Sequence, residues 1–266
     1  MKDHFENTAN DFLELASEQR LRILFRLLVK RSKITEMAKE LDTTRQEIHR
    51  NFERLVKADL IYKDKDGHYD LTVYGNTICS QVPDFVFVSQ NRKYFRSHNF
   101  GDIPIKFVQR IGALSMSQHV KGFPNVLEQW KSIYKNADQY IYEILSEVPL
   151  DTISHLVERI KHGIKFQYIL SESAILPKGR KELLEKLGFK KLIAKGFVER
   201  KMKNTVQVAI ILNEKEAMVI FPNLDGEPDM REMFYSRDPL FHEWCLDYFR
   251  YCWYGSDVFL EYKLKE

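Results

Sequence analysis

Cysteine is nearly absent: Cys79, Cys245 and Cys252 are the only three in 266 residues, and none has metal-ligand spacing. An odd, scattered set of this kind excludes a disulfide framework and a thiolate zinc site, and suits a reducing compartment. Cys245 and Cys252 stand seven apart, on one face of a helix, where buried packing is their expected role. There is no run of 18 apolar residues, so no membrane span is expected. The first ten residues carry charges in place of the apolar stretch of a secretion signal, and a cytoplasmic location is the expectation. Charge of one sign is also scarce: the net charge is +3, too little to announce a nucleic-acid binder on its own. The nucleophile elbow Gly-x-Ser-x-Gly, the zinc motif His-Glu-x-x-His and a phosphate-cradling glycine loop are all missing.

What is present is a foldable composition, 44% hydrophobic and 13% aromatic, on a chain long enough for two domains. Charge is unevenly distributed. From Met1 to Gly75 there are 14 basic and 14 acidic side chains, yet from Arg20 to Lys57 there are 11 basic against five acidic. Within that basic stretch, Leu21, Leu24, Phe25 and Leu28 fall at helical spacing, with Arg20, Arg22 and Arg26 between them. Ile34, Met37, Ala38 and Leu41 repeat the pattern, with Ser32 or Thr35 available as cap.

Only Asp42 and Thr43 separate this second helix from a third, which opens on Thr44-Arg45-Gln46-Glu47, the pattern of a capping box. Ile48, Phe52, Leu55 and Val56 form its apolar stripe, leaving Arg45, Gln46, His49, Arg50 and Glu53 on other faces. In a helix-turn-helix, the start of the second helix enters the major groove, where arginine pairs bidentately with guanine and glutamine with adenine. Thr44, Arg45, Gln46, His49 and Arg50 are therefore candidate DNA-binding residues, with Arg54 and Lys57 able to neutralise phosphates. Leu60-Ile61-Tyr62 and Tyr69-Asp70-Leu71-Thr72 then read as a hairpin whose Asp66-Gly67 pair favours a tight primed turn, with Lys65 and His68 as candidate wing contacts.

The run Leu15-Ala16-Ser17-Glu18-Gln19-Arg20-Leu21-Arg22-Ile23-Leu24 resembles the opening of ArsR-like winged-helix regulators. Leu71-Thr72-Val73-Tyr74-Gly75 resembles the Leu-Thr-x-x-Gly segment that closes the wing in many of them. The resemblance covers roughly residues 10–80 and implies a winged helix-turn-helix, with the DNA-binding domain expected over residues 1–80. The cysteine pair of the arsenic-type sensors is missing, so no metal site follows.

Residues 81–103 are expected to form a linker or dimerisation helix, interrupted at Pro83 and continued by Phe85-Val86-Phe87-Val88, before Gly101 and Pro104 open the second domain. Over residues 104–266 strands alternate with helices. The spacing predicts strands at 140–145, 164–170, 197–200, 206–212 and 217–221, and helices at 149–162, 177–187 and 239–254. The fold class expected is α+β: a winged helix-turn-helix followed by an α/β domain with a mixed sheet flanked by helices.

Ala217-Met218-Val219-Ile220-Phe221-Pro222, then Phe234, Asp238 and Tyr251-Cys252-Trp253, resemble the effector domain of archaeal methanogenesis-type regulators, similar to the phospholipase D fold. That resemblance implies an archaeal transcription factor. Phospholipase-type catalysis needs a histidine, a lysine two residues on and an aspartate beyond it; His155 is followed by Val157 and His162 by Ile164, so no enzyme is expected. Three carboxylates in Asp225-Gly226-Glu227-Pro228-Asp229 are expected to form a solvent-facing turn. Tyr142, Glu143, Arg200 and Trp253 are candidate effector-binding residues, chosen as polar groups among aromatics. No cofactor is expected. The expectation is a homodimeric, sequence-specific regulator of double-stranded DNA with a pseudo-palindromic operator and a small-molecule effector. A constitutive architectural protein with a purely dimerising second domain is the alternative; a DNA-targeted phosphohydrolase or nuclease is the enzymatic one.

Overall fold

The computed structural model describes residues 2–264, the side chains of residues 2–4 and 7 excepted. It divides into two compact units, Met1–Pro83 and Asp84–Glu266. In the first, α1 (Lys2–Leu15), α2 (Glu18–Val29), α3 (Ile34–Glu40) and α4 (Arg45–Lys57) precede the hairpin of β1 (Ile61–Lys63) and β2 (Tyr69–Leu71). Helix α1 is not among the expected elements, although Phe5, Ala9, Phe12 and Leu13 fall at helical spacing in it. Its C-terminus is held by Arg20, which donates from Nε to the Glu14 carbonyl and from Nη2 to the Leu13 carbonyl, both at 2.9 Å. Those carbonyls have no partner inside the helix, and the buried guanidinium supplies one.

Ile23, Leu24 and Leu27 of α2, Met37 and Ala38 of α3, and Ile48, Phe52 and Leu55 of α4 form the core with Leu60, Ile61 and Tyr69. Each large side chain so buried contributes roughly 1.5–3 kcal/mol. The stripe of α2 is rotated from the expected one: Arg20, Ile23, Leu24 and Leu27 are buried and Leu28 is 40% exposed. Val56 is likewise exposed, and Asn51 takes the inward position on α4. The cap of α3 is Lys33, whose N–H is taken by the Glu36 carboxylate.

The capping box of α4 is half realised. The Thr44 hydroxyl accepts from the Glu47 N–H at 3.2 Å, but the Glu47 carboxylate accepts from the Thr43 hydroxyl at 2.7 Å instead of reaching back to the Thr44 N–H. The hairpin turn is also not the primed two-residue reversal. A type I′ turn needs φ > 0 at both central residues, whereas only Gly67 has it here, at +82°. Asp64 Oδ1 accepts from the Asp66 and His68 N–H groups, and the Gly67 N–H donates to the Asp64 carbonyl. This side-chain scaffold favours a longer loop with glycine at its left-handed bulge position.

Helix α5 (Val73–Gln90) runs unbroken past Pro83, contrary to the expected interruption. One missing N–H is tolerated in a helix with four full turns of other bonds. Its last residues belong with the second unit, where Phe87, Tyr94 and Ile103 enter the core, so residues 84–103 do not stand apart as a connector.

The second unit continues with α6 (Ile105–Val108), β3 (Gln118–Lys121), α7 (Phe123–Asn136), β4 (Tyr140–Glu147), α8 (Leu150–Lys161) and β5 (Lys165–Ile175). Then come α9 (Arg180–Lys186), α10 (Phe189–Ala194), β6 (Val198–Lys203), β7 (Ala209–Asn213), β8 (Ala217–Ile220), β9 (Glu232–Ser236), α11 (Pro239–Tyr254) and β10 (Asp257–Val258). Among the described residues the strands form one eight-stranded mixed sheet, ordered β10-β6-β5-β4-β7-β8-β9-β3. Strands β4, β5 and β6 are parallel, joined by helical crossovers, and the other pairs are antiparallel. Strand alternation divides the core into two layers. Ile141, Phe166, Ile211 and Met218 face α7 and α8, and Ile144, Ile169, Ile210 and Val219 face α11. The helix predicted over 177–187 is α9, closed before Gly188 at φ +75°, and α10 follows beyond it without a counterpart among the expected elements.

Candidate nucleic-acid interface

Four polar side chains fix the turn between α3 and α4. Asn51 Nδ2 donates to Gln19 Oε1 at 2.6 Å, Gln19 Nε2 donates to the Thr43 hydroxyl at 3.2 Å, and that hydroxyl donates to Glu47. The network, anchored on the buried Asn51 and otherwise half-buried, ties α2, the turn and α4 together. Asp42, in the turn, takes φ +50°, which a short polar side chain tolerates.

So held, α4 turns its polar arc outward. Arg45, Gln46, His49, Arg50 and Glu53 are all exposed, and among the described residues Arg45, Gln46 and Arg50 have no polar partner. His49 Nδ1 lies 3.5 Å from Glu53 Oε2. Arg54 is engaged elsewhere: Nε and Nη2 reach the two oxygens of Glu14 at 3.1 and 2.6 Å, pinning α1 to α4. Its side chain stays 55% exposed, and Glu14 also meets Arg20 Nε at 2.9 Å, so one carboxylate is shared between two guanidiniums. In the wing, Lys65 is exposed without a partner among the described residues. His68 is half-buried, with Nδ1 3.7 Å from Asp64 Oδ2, so it faces the loop's own carboxylate.

Thr72 and Gly75 give the wing-closing segment its physical meaning. The Thr72 hydroxyl donates to the Asp59 carbonyl at 2.5 Å and accepts from the Gly75 N–H at 2.9 Å. A Cβ on residue 75 would fall 1.9 Å from the Leu60 carbonyl oxygen, so only glycine lets α5 start this close to the wing.

The four candidate effector residues do not converge. Tyr142 stacks between Tyr140 and Phe249, ring centroids 4.3 and 4.7 Å away, and Trp253 stacks on Phe249, all on the α11 side of the sheet. Glu143 points to the opposite side, fully buried, accepting from Trp130 Nε1 at 3.1 Å and from the Tyr134 hydroxyl. Burial pushes its carboxyl up to about 7 against the pull of those two donors. Arg200 lies on that same side, beside Glu261 at 3.3 Å and Phe259.

The acidic loop does not gather its carboxylates. Asp229 is taken by Arg231 at 2.8 Å and by His98 at 3.3 Å, and no metal-holding cluster occurs among the described residues. On β3, His119-Val120-Lys121 preserves the His-x-Lys spacing that sequence reading passed over. Asn125 and Val126 stand where the aspartate would fall, and Glu232 lies 2.7 Å from His119 and 3.3 Å from Lys121.

The polar scaffold of the helix-turn-helix, Gln19, Thr43 and Asn51, was missed by sequence reasoning. Asn51 alone left a signal, a polar residue inside the apolar arc of α4.

A three-helix turn motif with a wing, joined to an α/β unit with a mixed sheet, defines a two-unit winged-helix protein. Residues 9–92 match the family model described as HVO_A0261 N-terminal domain, which takes in most of the first unit and all of α5. No curated protein sequence matches the chain. Among solved structures the chain is similar to TrmBL2, described as an archaeal chromatin protein with a novel mode of DNA binding. Identity there is 12%, coverage 91% of this chain and 94% of that chain, and the TM-score 0.42. It is similar also to Nuc, a phospholipase D family member from Salmonella typhimurium, with 14% identity, coverage of 54% and 97%, and a TM-score of 0.41. T. acidophilum IdeR follows with 13% identity, coverage of 82% and 97%, and a TM-score of 0.23. No helix among the described residues is long and apolar enough to cross a membrane.

Proposed function

We propose that this chain is a sequence-specific DNA-binding regulator that places α4 in the major groove and Lys65 of the wing against the backbone. The observation that carries the reading is the unpaired trio Arg45, Gln46 and Arg50 on a capped helix whose angle is fixed by hydrogen bonds. Such side chains donate bidentately to base edges, and two exposed arginines without carboxylate partners have no role in the fold. The TrmBL2 description, which speaks of DNA binding by that protein, is consistent with the same partner here.

The finer reading is a homodimer on a pseudo-palindromic operator, with the second unit biasing operator affinity through a small-molecule effector and performing no catalysis. Half-sites about 10 bp apart, one helical turn, follow from two recognition helices related by a two-fold axis. Selection of bound fragments from a random duplex pool tests it. Enrichment of two related half-sites at that spacing is expected. A single enriched half-site would remove the dimer, and no enrichment at all would remove sequence-specific recognition.

A further inference from the structure

A cavity of about 300 Å³ opens beside β6, walled by α9, α10 and the segment 259–264. That volume is at the small end of ligand sites. Its floor is apolar and aromatic, with Tyr168 and Phe189 buried beneath and Phe259 at the side. Its rim carries four basic side chains, Arg180, Lys181, Lys190 and Arg200, against the carboxylates of Glu185 and Glu261. Lys190 pairs with Glu185 at 3.4 Å and Arg200 with Glu261 at 3.3 Å, which leaves Lys181 without an acidic partner among the described residues.

Two details point to a ligand. Tyr168 is 5% exposed, and no well-formed hydrogen bond reaches its hydroxyl among the described residues; the Arg200 guanidinium, a donor only, lies close enough to act on its oxygen, which leaves the hydroxyl proton without an acceptor. A buried hydroxyl left unpaired costs about 1–3 kcal/mol, so such groups ordinarily meet a partner. The Arg200 guanidinium lies 4.3 Å from the centre of the Phe259 ring, held by an aromatic wall, with Nη2 3.3 Å from a carboxylate oxygen of Glu261.

We infer that this cavity binds a small anion carried on an apolar body, a carboxylate or phosphate borne by an aromatic or short aliphatic group. Arg200 grips the anion bidentately, the Tyr168 hydroxyl donates a further hydrogen bond, and Phe189 and Phe259 sandwich the body. Glu261 acts as a tethered competitor: its carboxylate occupies Arg200 when the site is empty and is displaced when the ligand arrives. The inference deepens the sensor reading by naming the ligand class, and rests on that reading only for any consequence at DNA.

The test is a fluorescence titration of the full chain with anilinonaphthalenesulfonate, followed by displacement with phenyl phosphate, phenylacetate and neutral benzyl alcohol. Saturable binding at one site, displaced by an anion and not by the alcohol, is expected. Phenyl phosphate and phenylacetate distinguish the two headgroups, and displacement by either supports the site. Arg200→Ala should weaken binding about tenfold or more, and Tyr168→Phe, which keeps the ring, about threefold to tenfold. Glu261→Gln should tighten it by about twofold to fivefold, the scale of an exposed ion pair. A merely structural role for Glu261 would not give that gain. No saturable binding, equal displacement by benzyl alcohol, or indifference to both Arg200→Ala and Glu261→Gln in folded variants would overturn the assignment. If the anions bind and leave duplex affinity unchanged, the site stands and the sensor reading falls.

Discussion

Glu143 sits on the inward face of β4 between Ile141 and Leu145, a carboxyl in an apolar stripe held by Trp130 and Tyr134. Its folded pKa, raised from 4.5 to about 7, exceeds the unfolded value, so the folded state holds its proton more tightly. Below about pH 4.5 both states are protonated and the group is neutral in its effect. As pH rises from there through about 7, this contribution to stability is lost, by on the order of 3 kcal/mol at most. Urea unfolding at a series of pH values should show wild type losing stability over that window relative to Glu143→Gln, whose amide accepts the same two hydrogen bonds. Parallel curves for the two proteins would refute the buried-acid account. At Gly75 the expectation is steric: Gly75→Ala drives a methyl into the Leu60 carbonyl and should cost about 3 kcal/mol or more. A loss below about 0.5 kcal/mol in the same assay would mean that the start of α5 can shift away from the wing.

At the scale of elements, α1 depends on two arginines that lie outside it. Arg20 caps its C-terminus from a buried position, and Arg54 clamps Glu14 from α4. Arg20→Ala should leave those carbonyls unpaired at a cost of about 2–4 kcal/mol, and hydrogen exchange over residues 2–15 should accelerate before the rest of the unit responds. Unchanged protection of α1 would show that the cap is incidental. Much of this element map was legible in the sequence. The stripes of α3 and α4, the wing strands and the run 239–254 of α11 follow from periodicity and caps. The parallel core strands were found because each is a short β-rich run between turn residues. What was not legible has physical reasons. Helix α1 carries Phe5, Phe12 and Leu13 at helical spacing, yet all three are exposed and the contacts that hold it come from Arg20 and Arg54 on other helices, so its packing could not be read from periodicity. Strand β3 is a four-residue edge strand whose partner β9 is distant in sequence, and β9 is a five-residue strand parted from its other partner β8 by a loop, so local pattern marks neither. The arc of α2 was displaced because Arg20, a charged residue, takes a buried place through backbone carbonyls. The effector candidates were named for residue type, and type does not reveal which face of a strand a side chain occupies: Tyr142 and Glu143 are adjacent and point opposite ways.

For the whole molecule, a net charge of +3 conceals a division of labour between the two units. The first presents the unpaired cations Arg45 and Arg50 on α4, while the second holds internal pairs such as Arg237 with Glu216 and Lys203 with Asp102. The central claim is that Arg45 and Arg50 read DNA sequence, and it is tested most directly by titrating a selected duplex and a scrambled one with wild type and Arg50→Ala across a salt series. The account predicts that the substitution weakens the selected duplex by about fivefold to a hundredfold, with far less effect on the scrambled one, so that the specificity ratio collapses. Equal weakening on both duplexes, accompanied only by a shallower salt slope, would make Arg50 a phosphate contact and contradict base readout by α4.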